Sequence, residues 1–171
     1  MKSVMISIQP KWCELIASGK KTVEVRKTQP KMQTPFKVYI YCTKGQTIWT
    51  GNVEDYGTLT TIGNGKVIGE FVCDKIFDIC IEISKPDDLP GYPFPCTGLT
   101  DKEILQYLGN GKTGYGWHIS NLVIYDEPKP LSNYLRCPYP WECEACDLFD
   151  GFDISCNRKI RPPQSWCYVE G

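Results

Sequence analysis

Apolar and polar positions change period several times along the chain, and each change predicts an element. Pro10 to Gly19 reads as a short helix, with proline in its first turn and glycine just past its last. Trp12, Leu15 and Ile16 fall at i, i+3 and i+4 and form its buried stripe. After Gly19 the period becomes two. In Lys21-Thr22-Val23-Glu24-Val25-Arg26, Val23 and Val25 point one way and Thr22, Glu24 and Arg26 the other, which predicts a half-buried strand with Lys21 at its mouth. Phe36–Cys42 reads as a further strand, rich in β-branched and aromatic residues, and Gly65–Cys73 opens a longer one. Between them, the Thr/Gly-rich stretch from Thr47 to Asn64 predicts a mobile hairpin or loop, and Pro86–Pro93 an extended coil. Thr100 caps a helix running through Leu108, with Glu103 completing a capping box. Trp117–Tyr125 supplies another strand before a proline-rich exit. Pro162–Glu170 reads as a closing strand whose aromatics pack on the rest of the fold. Strands outnumber helices, so the pattern favours an α+β, mainly β fold over a parallel α/β sheet.

Length and charge sharpen this reading. A chain of 171 residues buries roughly 70% of its unfolded surface, enough for a core without staples. No apolar run approaches ~20 residues and the N-terminus lacks a signal-peptide pattern, so the expected location is the cytoplasm, with no membrane contact. The formal net charge of −1 conceals an asymmetry: the first fifty positions hold nine basic residues and two acidic ones. Such a segment suits a polyanionic partner met by one face, the plainer alternative being a solvated basic surface. Glu24 beside Arg26, entered by Lys20 and Lys21, places one carboxylate in a mainly cationic site. That carboxylate can orient the guanidinium or accept a base or sugar proton, while lysines meet phosphate.

At these residues the chain resembles the ASCH domain family, a branch of the PUA-like superfamily related to EVE and YTH domains. The family signature Gly-x-Lys-x-x-Glu-x-Arg is satisfied at Gly19, Lys21, Glu24 and Arg26. Its flanks fit too: a short strand in Ser3–Ile8, the Pro-Lys-Trp helix, then the motif strand. The resemblance covers about residues 1–130, leaving 131–171 as a Cys-rich extension packed on the barrel. It implies a partly open β-barrel with flanking helices, a cleft between the first helix and the barrel lined by the motif, and RNA or single-stranded nucleic acid as partner. The nucleic-acid-binding set is then Lys11, Lys20, Lys21, Glu24, Arg26 and Lys27, joined by Glu70, Trp117 and His118. Trp117 would stack on a base, its alternative being a core position; His118, the sole histidine, has a solvent-facing alternative. Some members are amidohydrolases acting on acetylated cytidine through a lysine, a threonine and a glutamate, and others are proposed ribonucleases. A small hydrolase is therefore the alternative function, with Lys21, Glu24 and Thr22 as its catalytic set. Here Glu24 stands where that subgroup has threonine, and Thr22 lies on another register, so binding is favoured over reaction. Tails of this kind also suggest a phage or prophage origin.

The last forty residues hold Cys137, Cys143, Cys146, Cys156 and Cys167, half of the ten cysteines. Cys143-x2-Cys146 is a zinc half-site, and Cys137 with Cys156 would complete four thiolates around a structural zinc ion. Such a site would organise a segment too short and polar to hold a core of its own. The outer spacings match no standard zinc ribbon, five cysteines compete for four places, and free thiols are the alternative. A cytoplasmic location disfavours disulfides. The reading requires no cofactor beyond that structural zinc.

Overall fold

The computed structural model describes residues 2–44, 48–50, 58–60, 65–80, 96–136 and 162–170. In chain order the elements are β1 (Lys2–Ile8), α1 (Pro10–Ala17), β2 (Val23–Arg26), β3 (Phe36–Cys42), β4 (Ile48–Thr50), β5 (Thr58–Thr60), β6 (Lys66–Cys80), α2 (Asp101–Leu108), β7 (Thr113–Pro130), β8 (Leu135–Arg136) and β9 (Trp166–Glu170). Seven strands form one open sheet in the order β2-β7-β6-β3-β1-β9-β8, while β4 and β5 pair separately. β1 runs parallel to β3, and every other pairing is antiparallel. The molecule is thus mainly β, with two α-helices among the described residues.

β1 and β3 are apolar on both faces because both faces are covered. Val4, Ile6, Ile8, Val38 and Ile40 enter one core with Ile16, Phe71 and Trp117. The alternate residues Met5, Tyr39 and Tyr41 enter a second core with Val67, Tyr134 and Val169. A strand buried on both sides loses the apolar–polar alternation of a half-buried one.

The sheet curls strongly. β7 and β9 are four strand spacings apart in the order given, about 19 Å if the sheet were flat. Yet the Trp117 and Trp166 ring centroids lie 5.9 Å apart. The bend comes from β6, whose pairing with β7 shifts register at Val67/Gly69, Glu70/Val72 and Cys73/Ile76. Gly69 sits at one of these bulges, where an added Cβ would run into the Val123 carbonyl. The open sheet consequently encloses its core as a partly open barrel does.

Several local expectations are met and others shift. α2 begins at Thr100 with the full capping box, Thr100 and Glu103 satisfying each other's backbone N–H groups. β9 pairs with β1, and Trp166 and Tyr168 pack on the main core. α1 stops at Ala17, and its deepest residues are Cys13 and Ile16, with Trp12 only partly buried. β6 is the longer strand that Gly65–Cys73 opens, with 15 residues, and β7 runs past the predicted Trp117–Tyr125 at both ends to 18. β2 departs most: all four of its residues are buried, so its polar face is not the solvated one expected of a half-buried strand. Of Thr47–Asn64 only β4 and β5 are described, paired antiparallel. Pro86–Pro93 and the candidate zinc ligands Cys137, Cys143, Cys146 and Cys156 lie outside the described residues. No described helix is long and apolar enough to cross a membrane.

Candidate ligand cleft

The motif begins with a conformational requirement. Gly19 adopts φ +72° and its N–H bonds the Ile16 carbonyl, ending α1 and turning the chain towards β2. Only glycine takes this left-handed backbone without steric cost. The Lys21 N–H then bonds Leu15 O, and the N–H groups of Thr22 and Val23 both reach Cys96 O. This fixes the motif strand against the 96–99 loop, where Gly98, at φ +70°, lies against Leu15, Lys21 and Trp12.

From that anchor a chain of buried charges runs through the site. Lys21 Nζ donates to Val23 O at 2.8 Å and Thr97 O at 2.6 Å, and lies 3.1 Å from Glu24 Oε2. Glu24 Oε1 is 3.0 Å from Arg26 Nη2, which also donates to Ser7 O at 2.6 Å. Strand geometry explains the order: residues two apart share a face, so Glu24 and Arg26 are adjacent. Lys21, just before the strand, reaches back over it. Residue exposures of 2%, 6% and 8% for Lys21, Glu24 and Arg26 make this a buried network. Buried ions are tolerated when partners and hydrogen bonds replace their water, here three backbone carbonyls as well as the ion pairs. The three acceptors around Lys21 Nζ match the three donors of an ammonium.

Lys21, Glu24 and Arg26 line a cleft of about 790 Å³. Its other walls include Trp12 from α1, Glu103, Gln106 and Tyr107 from α2, and the Pro163–Ser165 segment. The hydrogen bond from the Thr100 backbone, with those of its hydroxyl and the nearby Lys11 charge, holds the Glu103 carboxyl below the usual glutamate range despite some burial. Lys21, Arg26, Glu24 and Glu103 therefore carry two positive and two negative charges. Cations gather outside: Lys11 Nζ lies 4.4 Å from the Trp12 ring centroid and Lys27 Nζ 5.0 Å from that of Tyr107. Lys20 is exposed nearby. Among the described residues, Arg26 Nε and Trp117 Nε1 are buried without a hydrogen-bond partner, while the buried Glu24 Oε2 has the Lys21 ion pair.

The structure separates the sequence-selected residues into groups. Lys21, Glu24 and Arg26 come together in the cleft, with Lys11 and Lys27 on its aromatic walls. Thr22 is partly buried and tied by its backbone to Cys96, and is not among the cleft-lining residues. Glu70 lies away from the cleft, paired with Lys37 at 2.8 Å and accepting from the Tyr125 hydroxyl at 2.6 Å. His118 faces outward beside Asp74, 2.7 Å away. The expectation that Trp117 stacks on a base is corrected: it is fully buried, edge-on to Phe36 and against Trp166, because alternate β7 residues point into the main core. Trp12, read as core stripe, and Tyr107, not singled out at all, are the aromatic side chains that line the cleft. A signal existed in α2: Glu103, Gln106 and Tyr107 stand at i, i+3 and i+4, opposite the buried Ile104 and Leu108.

Residues 6–82 match the ASCH domain family model. This ASCH match includes the whole Gly19–Arg26 motif and β3, and ends just after β6. Among solved structures, the chain is similar to the ASCH protein of Zymomonas mobilis, with TM-score 0.59 and 17% identity over 98% of this chain and 87% of that one. A point mutant of the same bacterial protein superimposes with TM-score 0.60 and 17% identity, covering 99% of this chain and 91% of the other. At that identity the likeness shows the ASCH fold. No curated protein matches the chain in sequence.

Proposed function

We propose that the chain is an ASCH-domain protein of the PUA-like superfamily that binds RNA or another single-stranded nucleic acid in the cleft beside Lys21. The observation that carries this reading is the wall structure: two aromatic side chains, Trp12 and Tyr107, each with a lysine ammonium over its ring, enclose a polar floor. Rings offer a stacking surface to any unpaired base, and rim lysines offer charge to the phosphates on either side. Lys11, Lys20 and Lys27 take the phosphate role, with Trp12 or Tyr107 replacing Trp117 as stacking partner. Binding of a labelled single-stranded RNA should weaken linearly with log salt, and Lys20→Ala with Lys27→Ala should each reduce the slope by about 0.7. Binding indifferent to salt and to both substitutions would remove the proposal.

The hydrolase reading rests on the 3.1 Å approach of Lys21 and Glu24 within a cleft large enough for a nucleoside. Its test is release of acetate from an acetylated cytidine, or of RNA fragments, at many turnovers per protein and abolished by Lys21→Ala. A Lys21 ammonium with all three donors directed at protein oxygens favours binding over that chemistry. For the Cys-rich segment the proposal is one structural zinc ion held by Cys137, Cys143, Cys146 and Cys156. About one equivalent of zinc retained after refolding supports it, and well under one removes it.

A further inference from the structure

We infer that Cys13 and Cys42 form an oxidative modification site behind the cleft, where a hydroperoxide converts the two thiols into a disulfide that ties α1 to β3. The inference is independent of what the cleft binds. Both residues belong to the main core, at 2% and 0% exposure, and both are reduced thiols. The fold brings them together from different elements. Ile8 and Cys42 are register partners at the ends of the parallel strands β1 and β3. Cys13 Sγ lies 3.6 Å from Ile8 O, and the Thr43 N–H bonds that same carbonyl at 2.8 Å. Cys42 Sγ lies 3.7 Å from Thr43 O, and the two thiols hydrogen-bond to each other.

A buried thiol is ordinarily inert. Two features set this pair apart. The hydrogen bond from Cys13 holds the Cys42 thiol below the usual cysteine range despite burial. The same contact, with burial and the charges of Cys42 and Glu24, pushes Cys13 up. Cys42 is therefore the sulfur that ionises, and the thiolate is the nucleophile. In addition, Ile8, Gln9, Trp12 and Thr43 line the cleft, so the pair lies directly behind a wall that solvent reaches. The Cys42 thiolate attacks the terminal peroxide oxygen, the O–O bond breaks, and Cys42 becomes a sulfenic acid. The departing alkoxide or hydroxide takes the Cys13 proton and leaves as alcohol or water. With the Cys42 charge gone, the Cys13 thiolate attacks Cys42, the S–S bond forms and the S–O bond breaks. The hydroxide released combines with the proton that Cys42 first gave up. Two thiols are oxidised and one peroxide is reduced. The new bond closes a loop containing the whole Gly19–Arg26 motif and fixes the helix that carries Trp12. A reversible bond of this kind is compatible with a reducing compartment, where lasting structural disulfides are not.

The test treats the full chain with hydrogen peroxide, alkylates the remaining thiols and maps tryptic peptides by mass. Peptide 12–20 should be recovered linked to peptide 38–44, and dithiothreitol should separate them. Cys73, buried in the same core but pushed up to about 12 chiefly by burial, should stay reduced. Oxidation should raise the melting temperature by about 5–10 °C, since the cross-link closes a loop of about thirty residues in the unfolded chain. Cys13→Ser should lack that rise and leave Cys42 as a sulfenic acid that a 1,3-diketone probe labels, whereas Cys42→Ser should leave Cys13 unlabelled. Folding of both variants is checked by circular dichroism, and the peptide map needs no variant. Full alkylation of Cys13 and Cys42 at a peroxide dose that oxidises the exposed Cys80 and Cys96 overturns the inference. So does an equal yield of the linked peptides from folded and urea-unfolded chain, because the link would then owe nothing to the fold.

Discussion

Glu24 and Glu70 each hold a lysine, yet the two sites belong to different energetic regimes. The Lys37–Glu70 contact is the shorter, 2.8 Å against 3.1 Å for Lys21–Glu24. Its side chains, however, are 43% and 24% exposed, whereas those of Lys21 and Glu24 are 2% and 8% exposed. Water screens the first pair and can replace either partner when the other is lost. In the second, each charge depends chiefly on the others and on backbone carbonyls, because its side chain has little surface open to water. The distance between charged atoms is a poor guide to what a pair contributes. The solvation available after one partner is removed decides it.

Glu24→Ala should produce the largest effect, since it strands two buried cations. A loss of about 3–5 kcal/mol is expected, lowering the melting temperature by on the order of 10 °C for a chain of this size. A denaturation curve within experimental error of wild type would mean that the network is hydrated, and the contrast with Glu70 would collapse. Glu70→Gln should cost no more than about 1 kcal/mol in the same experiment.

The pH response sharpens the contrast. Burial pushes the Glu70 carboxyl up, but hydrogen bonds from Lys37 and Tyr125, with the Lys37 and Lys129 charges, outweigh it and hold the group below the ordinary glutamate range. A carboxyl depressed in the folded state contributes stability that is complete above its unfolded pKa and lost as pH falls through its folded one. The wild-type minus Glu70→Gln difference should therefore be constant near neutrality and shrink below about pH 4.3, the ordinary glutamate value. Growth of that difference on acidification would contradict the assignment. The smallest effect is expected at the rim. Lys27→Ala should change stability by within about 0.5 kcal/mol while altering the salt dependence of binding, so that stability and recognition separate at this residue.

Much of this architecture was legible in the chain because it follows local rules. Thr100 and Glu103 carry a capping box in four residues, Gly19 marks a helix stop, and Trp166 and Tyr168 sit in a recognisable closing strand. The grouping of Lys21, Glu24 and Arg26 was legible for the same reason, since strand periodicity alone places two of them on one face. Burial of that face was not. Whether Glu24 points to water or into a cleft depends on α1, α2 and the 163–165 segment closing over β2, which are contacts distant in sequence. Trp117 illustrates the converse: an aromatic beside a glycine-rich turn fits a ligand surface or a core equally, and only the curl of the sheet, opposing β7 to β9, assigns it. Tyr107 was missed because the cleft it shares with Trp12 is closed from another helix, although its own helical stripe was visible.

The bond from Arg26 Nη2 to Ser7 O joins β2 at one edge of the sheet to β1, four strands away in the pairing order. Arg26 is consequently a seam as well as a wall residue, and any molecule that fills the cleft would press on the same side chain that ties β2 to β1. Occupancy and closure then become thermodynamically linked: whatever prefers the closed seam raises the free energy needed to open it. Slow hydrogen exchange at Ser7 and its neighbours would report that linkage from inside the sheet, without a label on the ligand and without any chemical turnover.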